Sequence, residues 1–483
     1  MKNEERYMKR LICILCSVFC ILFAFGEVKY VFYFIGDGMG ANQVLGAEMY
    51  RSALQGEPLG RVQTVMTTFP YSGHASTYSK SRAITDSSAA GTCLATGSKT
   101  NNGTLGLDEK GDTLTTIAEM LKAQGWGVGI MTTVAIDHAT PAAFYAHTTD
   151  RGAYYQIGQQ LCASDFDFFG GAGFHYPQGK NDDKSVNLYR LAEEKGYTIA
   201  HGYEEAKHLV LNDIPQSTQP ATPKIDKLIF VQSSDDQGAK HSDNIGYTID
   251  QKEGDLTLAQ IVEVAIPFLN ERFDRFFMMV EGGMIDYAGH GNDGRTAMDE
   301  VWSMDEALAH AYQFYLAHPD ETLIVVTADH ETGGMALGNG GHKLDLALLQ
   351  YQQCSSWVLS DLFQELFASH KKPTWQEVKD LYRTKLGLWD KVNVTAEEEA
   401  ELKSLYQSAL KHQLVTQTLY KDLNKLSDAG VQLLNKKAHV GWTTHSHSAH
   451  AVPIFSIGVG AEKFSGWKDL PEIEKTISEI IEK

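Results

Sequence analysis

The feature that most constrains the fold is a set of apolar, strand-length segments, each leading directly to an acidic residue. Three such segments, rich in Val, Leu, Ile, Met, Phe or Tyr, span residues 27–35, 275–280 and 322–327. Continuous apolar runs of this length are typical of strands that are buried on both faces of a sheet. Asp37, Glu281 and Asp329 follow these segments, so we predict three carboxylates at the ends of buried strands.

Segments with helical periodicity alternate with the strands. Residues 113–124 and 293–318 show the helical pattern, whereas residues 126–133 and 452–459 are further apolar strands. This alternation predicts an α/β fold, a three-layer α/β/α sandwich around a mostly parallel sheet. Because ligands in such folds bind beyond the carboxyl ends of the strands, we expect the three acids to share one edge.

Two parts of the chain depart from this pattern. In residues 1–26, Lys9 and Arg10 precede an uncharged apolar run, which predicts a secretory signal peptide and hence an exported protein, periplasmic or secreted. An uncleaved anchor is the alternative, although the run is short for a membrane span. Residues from about 345 to 435 carry long helical patterns, so we predict a helical insertion before the last strands within a single domain, residues 27–483.

The charge argues against one class of function. The formal net charge is −19 at pH 7, and residues 1–26 hold four basic and two acidic side chains, so the remaining chain is close to −21. Such an acidic chain lacks the positive surface that nucleic-acid binding requires. An anionic small molecule remains compatible, because bound metal cations reverse the local sign of the charge.

A serine stands where a helix is predicted to begin. Ser87 follows Asp86 and precedes a run of small residues. Free amides and the dipole at a helix N-terminus favour an anion, which would place this serine to attack a phosphoryl group. Plain N-capping explains the same pattern, so this segment alone leaves both interpretations open.

Carboxylates and imidazoles are concentrated in three later segments. Asp286 and His290 are four residues apart, the spacing of neighbours on one helical face, and such a pair suits zinc. The other two segments are Thr327-Ala328-Asp329-His330, after a strand, and Thr444-His445-Ser446-His447-Ser448-Ala449-His450, before the last strand. Each alone is compatible with a polar surface loop. Together they offer more ligands than one metal ion needs, which favours two adjacent ions around a shared phosphate.

In order, spacing and residue type, these segments resemble the alkaline phosphatase family over about residues 28 to 460. Further matching motifs are Asp37-Gly38-Met39-Gly40, Asp86-Ser87, Thr96-Gly97-Ser98-Lys99, His138-Ala139-Thr140-Pro141, Ala146-His147 and Arg151. The resemblance implies hydrolysis of phosphate monoesters to an alcohol and inorganic phosphate through a phosphoserine. It also implies that residues 27–483 form the catalytic domain, with two zinc ions and one magnesium ion as cofactors.

The resemblance implies a role for each matching residue. Ser87 would be the nucleophile and Arg151 the clamp on the phosphate. The implied metal ligands are Asp37, Asp329 and His330 for one zinc ion, Asp286, His290 and His447 for the other, and Glu281, Thr140 and the bridging Asp37 for magnesium. These roles agree with the chemistry, because metal ions activate a serine hydroxyl, a guanidinium matches two phosphate oxygens, and oxygen ligands suit magnesium.

Two of these assignments have close competitors. Ser88 lies beside Ser87, and only the Asp-Ser register favours Ser87. His445 and His450 compete with His447, which the spacing to the last strand favours. Positions 138 and 287 vary in the family, so the influence of His138 and Tyr287 on metal preference and phosphate affinity stays open.

Two rival functions fit the sequence less well. A sulfatase of the same fold would carry a Cys/Ser-x-Pro-x-Arg pattern, which is absent after Asp86, and a phosphodiesterase usually lacks the magnesium ligands. An inactive zinc-binding export protein would lack the nucleophile or the clamp. We therefore expect small-molecule phosphate monoesters as substrates, no nucleic-acid partner and no membrane span once residues 1–26 are removed. A homodimer would be common for the family.

Overall fold

A ten-stranded sheet forms the centre of the computed structural model, which describes residues 27–179, 185–212, 225–232, 244–369, 372–413 and 416–482. The predicted signal peptide, residues 1–26, lies outside the described residues. The strands are β1 (Tyr30–Ile35), β2 (Tyr71–Ser76), β3 (Gly127–Thr132), β4 (Phe168–Gly171), β5 (Tyr197–His201), β6 (Lys227–Val231), β7 (Phe276–Glu281), β8 (Thr322–Thr327), β9 (Glu331–Thr332), β10 (Ala336–Leu337), β11 (Val440–Gly441), β12 (His447–Ser448), β13 (Val452–Gly458) and β14 (Gly466–Asp469).

The large sheet is mostly parallel, as predicted. Its strand order is β14-β2-β13-β8-β1-β7-β3-β4-β6-β5, and β9 pairs with β12 and β10 with β11 in two small sheets beside it. Strand β13 runs antiparallel to both of its neighbours, β2 and β8. The four central strands β8, β1, β7 and β3 are buried along their whole length, which explains why their sequences are apolar without alternation.

Helices pack around the sheet and complete the three layers. They are α1 (Ala41–Leu54), α2 (Ser87–Thr96), α3 (Ile117–Ala123), α4 (Ala139–Ala142), α5 (Tyr154–Ala163), α6 (Leu188–Glu194), α7 (Tyr203–Asn212), α8 (Leu258–Asn270), α9 (Met284–His290), α10 (Gly294–Ala317), α11 (Ser356–Ser369), α12 (Trp375–Leu386), α13 (Ala396–His412), α14 (Thr416–Lys437) and α15 (Pro471–Ile481). Helices α8 and α10 pack on one another and on the central strands, and α2, α4 and α15 form a second packed group.

The helix predicted at residues 113–124 is shorter in the structure. It begins at Ile117, because the Thr116 hydroxyl and the Glu119 carboxylate form a capping box around its first turn. The helix predicted at residues 293–318 is α10, and the carboxylate of Asp293 caps it by accepting from the Thr296 amide. Side-chain capping therefore determines the first residue of each helix, which lies within a few residues of the start that the periodic pattern predicts.

Helices α11 to α14 occupy the region where a helical insertion is predicted. Helix α14 packs against α11 and α13. It also contacts β11, which pairs with β10 in one of the two small sheets. Thr395 caps α13 through a capping box with Glu398. Within the part of the chain that the structure describes, no helix has both the length and the apolar character needed to cross a bilayer.

Candidate active site

The ends of three neighbouring strands bring the predicted acids together. Ile35 of β1 is in register with Glu281 of β7 on one side and with Thr327 of β8 on the other. Because these strands are parallel and in register, the segments that follow them leave the sheet at the same edge. Asp37 and Asp329 each lie two residues beyond that register line, so both carboxylates are held beside Glu281.

The loop after β1 passes very close to helix α9. Gly38 has a φ of +75°, and a Cβ atom at this position would lie 2.8 Å from Cα of Asp286. Glycine is therefore required here for both the backbone conformation and the close approach. The Gly38 amide also donates to Oδ1 of Asp329 at 3.2 Å, which ties the loops after β1 and β8 together.

Asp286, His290 and His447 form the first group of metal-ligand side chains. Helix α9 presents Asp286 and His290 on one face, with Nε2 of His290 3.4 Å from Oδ2 of Asp286, and Nε2 of His447 lies 3.7 Å from Oδ1 of the same carboxylate. Of the three candidate histidines near the last strand, the structure brings only His447 into this group. His450 contacts Glu331, and His445 bonds the backbone of His290.

The orientation of both imidazoles in this group is set by backbone carbonyls. Nδ1 of His290 lies 2.6 Å from the carbonyl oxygen of His445, and Nδ1 of His447 lies 2.9 Å from that of Thr85. A carbonyl oxygen only accepts, so each Nδ1 carries a proton and donates, which leaves Nε2 as the nitrogen directed at Asp286. This is the arrangement in which a histidine ligates a metal ion through Nε2.

Asp37, Asp286 and His330 form a second group around the same carboxylate. Nε2 of His330 lies 3.5 Å from Oδ1 of Asp37 and 3.3 Å from Oδ2 of Asp329, and all three of these side chains are buried. Nδ1 of His330 lies 3.2 Å from the Thr332 hydroxyl, which itself donates to Oδ1 of Asp286. The hydroxyl therefore accepts from His330 and leaves Nε2 directed at the acids.

A third group joins Asp37 and Glu281 to His138. The Thr140 hydroxyl donates to Oδ2 of Asp37 at 3.3 Å, and the Thr132 hydroxyl donates to Oε2 of Glu281. Asp37 thus belongs to two groups, in agreement with a bridging role. His138 is the residue that sequence reasoning left open, and the structure places it beside the predicted magnesium ligands.

The buried acids repel one another strongly. Burial, followed by the neighbouring acids Asp329, Asp286 and Glu281, raises the pKa of Asp37 well above its ordinary value. Burial likewise raises the pKa of Asp329, and it raises the pKa of Glu281 to about 7. Burial lowers the pKa of His330 well below its ordinary value, so this imidazole is neutral and able to act as a ligand.

Three carboxylate oxygens at this edge lack a hydrogen-bond donor within the described ranges. They are Oδ1 of Asp37, Oδ2 of Asp329 and Oε1 of Glu281. Buried carboxylate oxygens are normally paired with donors or cations, since an unpaired buried charge is very unfavourable. The number of acids, their burial and these three oxygens together fit a site built for metal cations.

Ser87 faces the second group from the start of helix α2. Asp86 is the N-cap residue and accepts from the Ala89 amide, so Ser87 occupies the first helical position. Its Oγ lies 3.3 Å from Nε2 of His330, whereas the Ser88 hydroxyl donates to Oδ2 of Asp86 at 2.7 Å. Of the two adjacent serines, the structure therefore brings Ser87 to the acid and imidazole cluster.

Arg151 lies in the segment before α5, and its side chain contacts Asp86, the residue that caps helix α2. Its Nη1 donates to Oδ2 of Asp86 at 3.2 Å, and its side chain is 28% exposed, so the guanidinium is neither buried in the core nor free in solvent. Oδ2 of Asp86 also accepts from the Gly103 amide. Asp86 therefore positions both Arg151 and the start of α2, a role that sequence reasoning did not assign.

Comparison with known proteins decides the family. The family model described as alkaline phosphatase matches residues 28–195 and 237–483. The chain belongs to the alkaline phosphatase family. Alkaline phosphatases are metal-dependent phosphoric monoester hydrolases, and this enzyme hydrolyses phosphate monoesters.

Individual alkaline phosphatases match over most of their length. Alkaline phosphatase 4 of Bacillus subtilis (strain 168) is 30% identical over 91% of this chain and 86% of that protein. The repressible alkaline phosphatase of Saccharomyces cerevisiae is 27% identical, covering 93% of this chain and 79% of its own. The crystal structure of the cold-active alkaline phosphatase from the psychrophile Shewanella sp. matches 94% of this chain and 100% of its own, with 28% identity and a TM-score of 0.74.

Proposed function

We propose that this alkaline phosphatase works through a phosphoserine at Ser87, at a centre with two zinc ions and one magnesium ion. The observation that carries the proposal is the approach of the Ser87 hydroxyl to within 3.3 Å of Nε2 of His330, which belongs to the ligand group that shares one carboxylate with each of the other two groups. A nucleophile beside a cluster of buried acids and neutral imidazoles is the arrangement that metal-assisted phosphoryl transfer needs.

The donor atoms suggest how the ions are shared. Asp286, His290 and His447 would hold one zinc ion, and Asp37, Asp329 and His330 would hold the other, since mixed nitrogen and oxygen ligands suit zinc. Thr140, Glu281 and the bridging Asp37 offer oxygen atoms, which suit magnesium. When bound, these ions would lower the pKa of a hydroxyl group and balance charge on the attacking and leaving oxygens.

The residues of the chain would carry the reaction in two displacements. First, Oγ of Ser87 gives up its proton and attacks phosphorus, and the bond between phosphorus and the substrate alkoxy oxygen breaks. The departing alkoxide takes up one proton, which balances the proton lost by Ser87, and leaves as the alcohol. Water then attacks the phosphoserine, which releases inorganic phosphate and returns the Ser87 hydroxyl. Arg151 would hold two phosphoryl oxygens with its planar fork, and Asp86 would keep that fork in place.

The first 26 residues support export of the enzyme. Lys9 and Arg10 before an uncharged apolar run give a signal peptide, which would direct residues 27–483 to a periplasm or to the medium. Alkaline phosphatases commonly form dimers, and we propose the same here. A negatively charged chain of this kind is not expected to bind nucleic acid.

The metal requirement is tested by removing and restoring the ions. Residues 27–483 should hydrolyse p-nitrophenyl phosphate at about pH 9, lose nearly all activity after chelation, and regain full activity only when zinc and magnesium are both supplied. Elemental analysis of the purified protein should then give two zinc ions and one magnesium ion per chain. Full recovery with magnesium alone would contradict the assignment of zinc to the two imidazole-containing groups.

Replacement of Arg151 by alanine should weaken both substrate binding and turnover. We expect kcat/KM for p-nitrophenyl phosphate to fall about 10²-fold, because two charge-assisted hydrogen bonds to the phosphoryl group are lost. Inhibition by inorganic phosphate should weaken as well. Arg190→Ala, which removes an exposed arginine paired with Glu194, is the control. Unchanged inhibition by phosphate in Arg151→Ala would rule out the clamp.

A further inference from the structure

A cleft with a volume of about 640 Å³ opens at His290, which is the one residue of its lining that the mechanism above uses. Tyr287 and His290 of α9 form one side, Trp357 and Asp361 of α11 form the second, and Asn424 and Asp428 of α14 form the third. The cleft therefore joins the catalytic edge of the sheet to the helical region formed by α11 to α14. Its volume is within the range of sites that hold small organic ligands.

The cleft adjoins the more open part of the metal centre. The His290 side chain is 39% exposed, whereas that of His330, in the group beside Ser87, is fully buried. An in-line displacement sends the leaving alcohol away from the nucleophile, and hence away from Ser87 and His330. The leaving group would thus depart past His290, at the point where the cleft begins.

Aromatic faces make up one wall of the cleft. Trp357 is 43% exposed, and its ring centroid lies 5.8 Å from that of Tyr287 and 4.7 Å from that of the buried Tyr247. Tyr247 supports the indole from behind and Tyr287 extends the aromatic surface towards the metal centre. An exposed indole held between supporting rings offers a stacking surface for a planar group.

The rest of the cleft lining is polar and carries negative charge. This polar wall consists of Asp361, one helical turn after Trp357 on α11, and of Asn424, Ser427 and Asp428 on α14. The described residues that line the cleft include no lysine or arginine. Carboxylates accept hydrogen bonds from exocyclic amino groups of bases, and the Asn424 side chain adds amide hydrogen-bonding capacity. The same carboxylates disfavour a leaving group that carries further phosphate groups.

We propose that this cleft is a leaving-group subsite for a nucleoside, so that nucleoside 5′-monophosphates are the preferred monoesters of this enzyme. The proposal rests on the proposed function, because it assumes that phosphate binds between Ser87 and Arg151. The base would stack on Trp357, its amino groups would face Asp361 and Asp428, and the ribose would lie beside Tyr287. The cleft is large for a small ammonium headgroup, and the polar wall matches the edge of a base.

The test compares two tryptophan variants on two kinds of monoester. In Trp357→Ala, kcat/KM for adenosine 5′-monophosphate should fall about tenfold while that for glycerol 1-phosphate changes less than about twofold, since only the base loses its stacking partner. Trp467→Ala, which removes a 71% exposed tryptophan on the edge strand β14, should leave both values unchanged. Adenosine should inhibit glycerol 1-phosphate hydrolysis competitively, with an inhibition constant about tenfold higher in Trp357→Ala than in the wild type.

The outcomes separate the subsite from the catalytic proposal. Absence of glycerol 1-phosphate hydrolysis in the metal-loaded wild type would overturn the proposed function itself. Hydrolysis of glycerol 1-phosphate without any preference for adenosine 5′-monophosphate, or an equal loss on both substrates in Trp357→Ala, would overturn the nucleoside subsite alone. A larger loss on phosphocholine than on the nucleotide would also overturn it, in favour of an aromatic site for an ammonium group. Asp361→Asn should improve the relative hydrolysis of adenosine 3′,5′-bisphosphate, and no improvement would contradict the role given to the charged wall.

Discussion

Replacement of Ser87 by alanine should reduce phosphomonoesterase activity by at least about 10³-fold, because it removes the proposed nucleophile. Ser88→Ala is the matched control, since the two serines are adjacent in α2 but differ in what they contact. Oγ of Ser87 lies 3.3 Å from Nε2 of His330, whereas the Ser88 hydroxyl is committed to Asp86. Ser88→Ala leaves the bonds from Gly103 and Arg151 to Asp86 in place, so we expect a loss of less than about tenfold.

Both variants should fold, which makes the comparison informative. Alanine is the best helix former, and Asp86 still caps α2 by accepting from the Ala89 amide in either variant. Acid quenching of wild-type enzyme during turnover, followed by mass spectrometry, should find phosphate on the peptide that contains Ser87, and Ser87→Ala should lack it. Loss of activity only in Ser88→Ala would transfer the role to Ser88. Full activity in both variants would mean that water attacks the substrate directly.

The position of the acids could be predicted from sequence because it depends on local information. Apolar runs without alternation indicate strands that are buried on both faces, and parallel strands in register end at one edge. The observed pairing of Ile35 with Glu281 and with Thr327 bears out this reasoning for β1, β7 and β8. The one-face spacing of Asp286 and His290 likewise required only that α9 be a helix.

Other features depend on contacts between segments that are distant in sequence, so they could not be predicted from the local sequence pattern. The apolar run at residues 452–459 predicts a buried strand, but nothing in it indicates that β13 runs antiparallel to β2 and β8. The meeting of His138 with Asp37 and Glu281 requires that the segment after β3 fold back over β7. Thr332 was also missed, because a hydroxyl that holds both Asp286 and His330 has no sequence signature of its own.

Removal of the metal ions should lower the stability of the protein substantially. Asp37, Asp329, Asp286 and Glu281 are buried together, and three of their oxygens lack a donor within the described chain. Each ion bound a thousandfold above its dissociation constant would add about 4 kcal/mol, so we expect chelation to lower Tm by about 10 °C or more. Differential scanning calorimetry before and after chelation measures this change, and restoring zinc and magnesium should reverse it.

The Asp329→Asn substitution distinguishes a metal centre from an ordinary network of buried polar groups. Its effect on the free energy of unfolding should be opposite in sign in the metal-loaded and the metal-free protein. Oδ1 of Asp329 accepts from the Gly38 and His330 amides, and an asparagine oxygen keeps both bonds while the charge is removed. With metals present the variant loses a ligand, and we expect it to be less stable than the wild type by about 2 kcal/mol or more. Without metals it has less repulsion among buried acids, and we expect it to be more stable than the metal-free wild type by about 1 kcal/mol.

The decisive result is that Asp329→Asn destabilises the metal-loaded protein and stabilises the metal-free protein, which is called the crossing below. If Asp329 served only to hold Gly38 and His330 in place, the asparagine variant would differ little from the wild type whether or not metals were present, since its hydrogen bonds are unchanged. If its charge were balanced by protein groups alone, the variant would be destabilised to the same extent in both states. Asp345→Asn, which alters an aspartate near His439 at the end of the short β10–β11 pair, controls for a general effect of removing negative charge and should show no crossing. Only a cation at the strand ends makes the same substitution unfavourable in one state and favourable in the other.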